Sequence, residues 1–316
     1  MNIRRITFYL HSTDVVIIAF GLLLSLVNAI FSSRIPHWWL MILINCGVSI
    51  AVCWLAYGRH TTGSRLLAIV HDWYVAPLVF LTFKELYFMI KPIHFGSDYD
   101  QLLIAIDRWM FGVDPTHWLM QIANPYLTEL LQIAYTSFYF LFLVLGYELH
   151  RRRDPNAFHF FMFTCVYGFF ISYAGYFFLP AVGPRFTLHD FSTLNTELPG
   201  VFLSRYLRWF VNTGGSAPMG VPNEVAIAGT QRDVFPSGHT MMTLVLMNLS
   251  SRFKLKVRYG IYVTGTLLIV ATVYQRYHYV IDLIAGAVCM MICVFTAPKL
   301  YEYIKKQFQT MEARFP

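Results

Sequence analysis

Long apolar runs, broken by short basic segments, dominate the chain. Eight stretches reach or approach the roughly 20 apolar residues that a helix needs to cross a bilayer: about 14–31, 38–57, 66–90, 126–149, 157–180, 238–251, 259–275 and 281–299. The first follows Arg4 and Arg5 like a signal peptide, but its run is long and no small-residue cleavage site follows, so it reads as a retained anchor. The sixth is short and is bounded by Pro236 and Arg252. Between the third and fourth runs, residues 91–125 carry Trp109, Phe111, Trp118, Leu119 and Ile122, a pattern that suits a helix lying in the membrane interface. Residues 181–236 are polar and rich in glycine and proline. A structureless loop of that length is uncommon, so a folded cap or lid is expected.

Composition agrees with this pattern. Of 316 residues, 57% are hydrophobic and 13% charged, about half the charge of an ordinary soluble domain. That excludes a water-facing globule and a disordered chain alike, and leaves an all-α integral membrane protein. The net charge of +7 would suggest nucleic acid in a soluble protein, but in a membrane protein it reflects basic cytoplasmic loops. One set of segments holds 15 Lys and Arg in short loops and tails, from Arg4 and Arg5 to Arg314; the other holds 8 spread over longer loops. Both termini are therefore expected in the cytoplasm. The five cysteines all lie within apolar runs, without disulfide or zinc spacing. No metal or cofactor is called for.

Three short segments, all at the expected outer ends of runs, carry candidate chemistry. Pro236-Ser237-Gly238-His239 opens the sixth run as a capped helix start, placing free backbone N–H groups beside an imidazole. His278 and Asp282, four apart at the start of the last run, can pair on one helix face, fixing the histidine tautomer. Arg185 follows the two prolines that end the fifth run and can hold a phosphate in two-pronged fashion. Each motif taken singly has an ordinary structural reading: a capped helix, an interfacial ion pair, an arginine reaching to headgroups. Their coincidence on one side of the membrane is the signal.

These residues resemble the type-2 phosphatidic acid phosphatase (PAP2) superfamily of membrane phosphatases and lipid phosphotransferases. Its P-S-G-H motif is matched at every position, and His278 and Asp282 match the H-x3-D half of its S-R-x5-H-x3-D motif. The motif arginine is replaced by Thr272. In the K-x6-R-P motif only Arg185 is kept, with Phe178 at the lysine position and Phe186 at the proline. Lys84-x6-Lys91-Pro92 imitates that motif at the wrong place in the chain. The runs 277–286 and 107–112 resemble the inositol phosphorylceramide synthase-like branch.

The resemblance implies six membrane helices forming a bundle core over 66–316, with 1–65 as an additional N-terminal pair. It implies His278 as nucleophile, His239 as acid and base, and Asp282 as orienting group. Arg185, Ser237 and Gly238 would bind phosphate, with Arg276, Arg232 and Lys84 as candidate replacements for the missing cations. The implied activity is hydrolysis of a lipid phosphate or pyrophosphate through a phosphohistidine. A lipid phosphotransferase with a lipid or polyol acceptor is the alternative, and a non-catalytic lipid transporter ranks third. The partner is a membrane lipid, not nucleic acid. The compact loops point to a bacterial cytoplasmic membrane, with the site facing outward.

Overall fold

In the computed structural model, which describes residues 9–96 and 98–314 with side chains through Gln307, every regular element is helical and no strand occurs among the described residues. Arg4, Arg5 and the side chain of Arg314, used above for orientation, lie outside the described residues. In chain order the principal helices are α1 (Ser12–Ile30), α2 (Trp38–Thr62), α3 (Arg65–Trp73), α4 (Val75–Ile93), α5 (Asp100–Phe111), α6 (Pro125–Thr136), α7 (Phe138–Arg151), α8 (Pro155–Gly175), α9 (Ser204–Gly214), α10 (Gly238–Arg252), α11 (Arg258–Tyr274) and α12 (Val280–Arg314).

Among the described residues, five segments are long and apolar enough to cross a membrane: α1, α2, α3 with α4, α8, and α12 through Gln307. A sixth is reached if α6 and α7, bent by 50° at their junction, make one crossing. That bend falls at Ser137, whose hydroxyl donates to the Ala134 carbonyl at 2.6 Å. A side chain that competes for the helix's own carbonyls is a recognised cause of bending. The expected sixth and seventh runs are helices α10 and α11, but at 15 and 17 residues they are shorter than a full crossing. The structure therefore carries five or six crossing-length helices where eight runs were expected.

The chain divides into two compact units. One comprises Met1–Phe95, His150–Phe170 and Ile292–Pro316. Its helix ends are tied by polar contacts. Asp14 of α1 accepts from the Tyr74 hydroxyl at 2.6 Å and lies 3.0 Å from His71 Nε2, while Arg59 of α2 pairs with Asp72 at 2.6 Å.

The other unit comprises Gly96–Leu149 and Ile171–Met291. Its core gathers Leu131, Tyr135, Val182, Phe186, Phe191, Leu198, Tyr274 and Tyr277. The 181–236 segment is folded, as expected for a cap, into short helical turns and the helix α9. Glu129 fixes the start of α9 by accepting from four consecutive backbone N–H groups, Val201 to Ser204, at 2.5–3.3 Å. α9 buries Arg208, Val211 and Asn212 and exposes Tyr206, Trp209 and Phe210. α5 is likewise two-faced: Asp100, Leu103, Ile104 and Asp107 are buried, and Leu102 and Trp109 are exposed.

Candidate functional site

The second unit brings four of the sequence-predicted residues to one place. His278 sits in the short break between α11 and α12, held by its backbone N–H donating to the Thr272 carbonyl at 3.0 Å. Its Nδ1 lies 3.0 Å from the Val234 carbonyl and 3.3 Å from Asp282 Oδ2. The Val234 carbonyl can only accept, so Nδ1 carries the proton and Nε2 presents its lone pair. Asp282 is fully buried, with Oδ2 also accepting from the Tyr279 N–H at 2.8 Å. Burial, joined by neighbouring His239 and Arg185, holds His278 well below the usual histidine range, against the opposing pull of the Val234 bond.

His278 Nε2 faces His239 Nδ1 at 3.5 Å, with the rings 5.6 Å apart and edge to face. His239 is the second residue of α10 and stacks on Tyr135, whose hydroxyl lies 3.4 Å from the same Nδ1. Tyr135 stacks in turn on Tyr277 at 4.3 Å, and the Arg185 guanidinium lies over Tyr277 at 4.9 Å.

Arg185 is 6% exposed, and none of the described residues offers it a carboxylate partner. Its Nη1 donates to Asn212 Oδ1 at 2.6 Å, and its Nε has no acceptor. A buried cation without a counter-charge is costly, and an anion beside Arg185 would offset that cost.

The start of α10 supplies part of the rest. Ser237 caps the helix, its Oγ accepting from the Thr240 N–H at 3.2 Å, while its own N–H donates to the Asp282 carbonyl at 2.9 Å. The serine is thus committed to structure. The N–H groups of Gly238 and His239 are the ones left open at the helix end, since the first turn has no intrahelical acceptors. Position 238 must be glycine because a Cβ there would meet the Tyr176 hydroxyl at 2.5 Å and Ser172 Oγ at 2.8 Å.

The three candidate replacement cations each have contacts of their own. Arg276, in a left-handed conformation, is paired with Glu197 at 2.7 Å and contributes its carbonyl as acceptor for the Arg185 N–H at 3.0 Å. Arg232 is held in two-pronged fashion by Asp98, at 3.0 Å on both arms, and donates to the Ile227 and Thr230 carbonyls. Lys84 belongs to the other unit, on α4 beside Phe80 and Phe83.

Sequence reasoning did not single out the groups that hold these side chains. Asn212 fixes Arg185, and the Val234 carbonyl fixes His278. From α5, Asp100 accepts from the Val182 and Gly183 N–H groups at 3.0 and 2.8 Å and from the Tyr279 hydroxyl at 2.8 Å. Asp107 accepts from the N–H groups of Val280 and Ile281, the first turn of α12, at 2.8 and 2.9 Å. Burial raises both carboxyls above the usual range, and these N–H bonds pull them back. Two carboxylates seven apart on one helix face were the available signal.

Among the described residues, one trio has metal-ligand proximity: His11, Asp14 and His71, in the first unit. Arg59 Nη1 lies 3.2 Å from His71 Nδ1, which must then accept, leaving the Nε2 proton to bond Asp14. That trio is satisfied as a hydrogen-bonded cluster, and a metal on Nε2 would move the ring's one proton to Nδ1, against the Arg59 donor.

A sequence profile described as the PAP2 superfamily matches residues 101–296. A PA-phosphatase related-family protein of Dictyostelium discoideum is 28% identical over 187 residues, covering 53% of this chain and 31% of that protein. The chain thus spans about a third of the length of that curated relative. No solved structure matches.

Proposed function

The chain belongs to the PAP2 superfamily, and from that premise we propose that it is a membrane phosphatase that hydrolyses a lipid phosphate or pyrophosphate through a phosphohistidine. His278 Nε2 attacks phosphorus while its Nδ1 proton stays on the Val234 carbonyl and Asp282. His239 donates a proton to the leaving lipid oxygen, then takes one from the attacking water that releases phosphate. Arg185, with the N–H groups of Gly238 and His239, neutralises charge on the equatorial oxygens. The observation that carries the reading is buried, uncompensated Arg185 next to two facing imidazoles.

Transfer of the phosphoryl-headgroup to a lipid or polyol hydroxyl uses the same residues, with the acceptor replacing water. The similarity of 107–112 and 277–286 to the synthase-like branch supports that second reading. Multi-pass membrane placement follows from the crossing-length helices. From the distribution of Lys and Arg the site faces the outer side of the membrane in this reading, and the compact loops favour a bacterial cytoplasmic membrane.

The test is phosphate release from phosphatidic acid, polyprenyl phosphate and pyrophosphate, and ceramide phosphate in detergent micelles, wild type beside His278→Ala. Release from at least one substrate, falling at least 1,000-fold in the variant, is expected for loss of a nucleophile, on the scale seen when such groups are deleted. No release by folded wild type overturns hydrolysis and moves the test to headgroup transfer from phospholipid donors.

A further inference from the structure

The end of α11 carries an arginine where glycine is the usual residue. Arg276 follows the helix with a φ of +65°, in the left-handed region that L side chains rarely adopt. The local bonds are those of a Schellman turn. The Arg276 N–H donates to the Val273 carbonyl and the Tyr277 N–H to the Thr272 carbonyl, both at 2.9 Å. Such a turn favours glycine at its left-handed position, because glycine has no Cβ to strain it. Among the described residues, five other non-glycine residues have positive φ, and all are exposed or half-buried. Arg276 is fully buried. Strained backbone persists only where the surroundings hold it, and it clusters at functional sites.

Here the surroundings are the phosphate site and the cap. The Arg276 carbonyl accepts from the Arg185 N–H at 3.0 Å. The next two residues are Tyr277, whose ring lies under the Arg185 guanidinium, and His278. The side chain runs the other way: Nη1 pairs with Glu197 Oε2 at 2.7 Å, and Nη2 lies 2.8 Å from Met120 Sδ. Glu197 is fixed in turn by the Thr193 hydroxyl, which donates to its Oε1 at 2.6 Å. Gln275, one residue earlier, makes a second tie, its Oε1 accepting from Arg208 of α9 at 3.1 Å. One turn further along α9, Asn212 holds Arg185. Glycine at 276 would form the same turn without strain, but it could not reach Glu197.

We propose that Arg276 is a positioning residue of the phosphate site. Its guanidinium latches the 191–198 segment of the cap to the break between α11 and α12, and so keeps Arg185 and His278 in register. It acts through those two residues and not by contact with phosphate. The proposal rests on the phosphatase reading and gives the cap a part in it.

Two substitutions separate backbone from side chain. Arg276→Gly relieves the strain and loses the latch, whereas Arg276→Lys keeps the strain and keeps a cation for Glu197. If the residue only closed a helix end, glycine would serve at least as well as lysine. The latch predicts the reverse. Steady-state kinetics on the best lipid phosphate in detergent should show at least a tenfold loss of kcat in Arg276→Gly, with a smaller rise in KM. Arg276→Lys should stay within threefold of wild type. A folded Arg276→Gly that keeps more than a third of wild-type kcat overturns the proposal, and so does an Arg276→Lys as slow as Arg276→Gly. If Arg276→Gly does not fold, Glu197→Ala decides by the same limits, since it opens the latch from its partly exposed end. Wild-type turnover in the same assay separates these outcomes from failure of the parent reading. If folded wild type releases no phosphate, that reading falls and the latch proposal falls with it.

Discussion

At the level of single residues, His278 is held by two acceptors, not one. In a triad that depends on a carboxylate alone, replacing Asp by Asn presents the histidine with a donor, and the wrong tautomer costs about 10⁴ in kcat. Here the Val234 carbonyl is the nearer acceptor, at 3.0 Å against 3.3 Å for Asp282, and a carbonyl cannot become a donor. Asp282→Asn should therefore keep the correct tautomer and lose only the carboxylate's stabilisation of the imidazolium. A fall in kcat of about 10- to 1,000-fold with KM little changed is expected, on the scale of electrostatic and acid–base contributions. Steady-state kinetics on the best lipid phosphate would check it, and a loss of 10⁴ or more would show that Val234 does not hold the ring. The i, i+4 pairing of His278 with Asp282 could be read directly from the chain because helix geometry is local. The Val234 carbonyl could not, because backbone acceptors carry no residue signature and this one lies 44 positions away. The same holds for Asn212, an ordinary polar residue until the fold brings it 2.6 Å from Arg185.

Among the helices, α5 does more than lie in an interface, which is all that its aromatic pattern predicts. Its buried face carries Asp100 to the 182–183 turn just before Arg185, and Asp107 to the first turn of α12, two residues beyond His278. One helix thus holds both the turn before Arg185 and the helix start after His278. Asp107→Ala strips two N–H groups at the start of α12 of their acceptor. Loss of a helix cap costs about 1–2 kcal/mol, and buried unsatisfied donors add to it. The expected result is a lower melting temperature in detergent and a fall in kcat larger than any rise in KM. Asp107→Asn, which retains one acceptor oxygen, should recover part of both. Equal kinetics for wild type and Asp107→Ala would restrict Asp107 to a role in stability. The starts of the long helices were legible to within two residues because apolar runs report burial in lipid or core directly, whereas the end of α12 was not, since it runs on to Arg314 past the apolar run that stops near 299. The breaks were not. Ser137 bends α6 from α7 through a single hydroxyl contact, and Tyr74 separates α3 from α4 within one apolar run.

For the molecule as a whole, the charge distribution makes a definite statement about which face carries the histidines. The basic triplet Arg151, Arg152 and Arg153 follows α7, whereas α9, with exposed Tyr206, Trp209 and Phe210, belongs to the segment that ends at His239. Short basic loops stay with the cytoplasm, so residue 152 should face inward and residue 206 outward. All five native cysteines are unpaired, so a cysteine-free background can be made without breaking a disulfide. In that background Arg152→Cys and Tyr206→Cys place single thiols at exposed positions. A membrane-impermeant maleimide should label Tyr206→Cys in intact cells and Arg152→Cys only after lysis. The opposite pattern would put Arg185, His239 and His278 on the cytoplasmic face. Their lipid phosphate would then have to come from the inner leaflet, while the phosphohistidine chemistry itself, which depends on local geometry and not on sidedness, would stand.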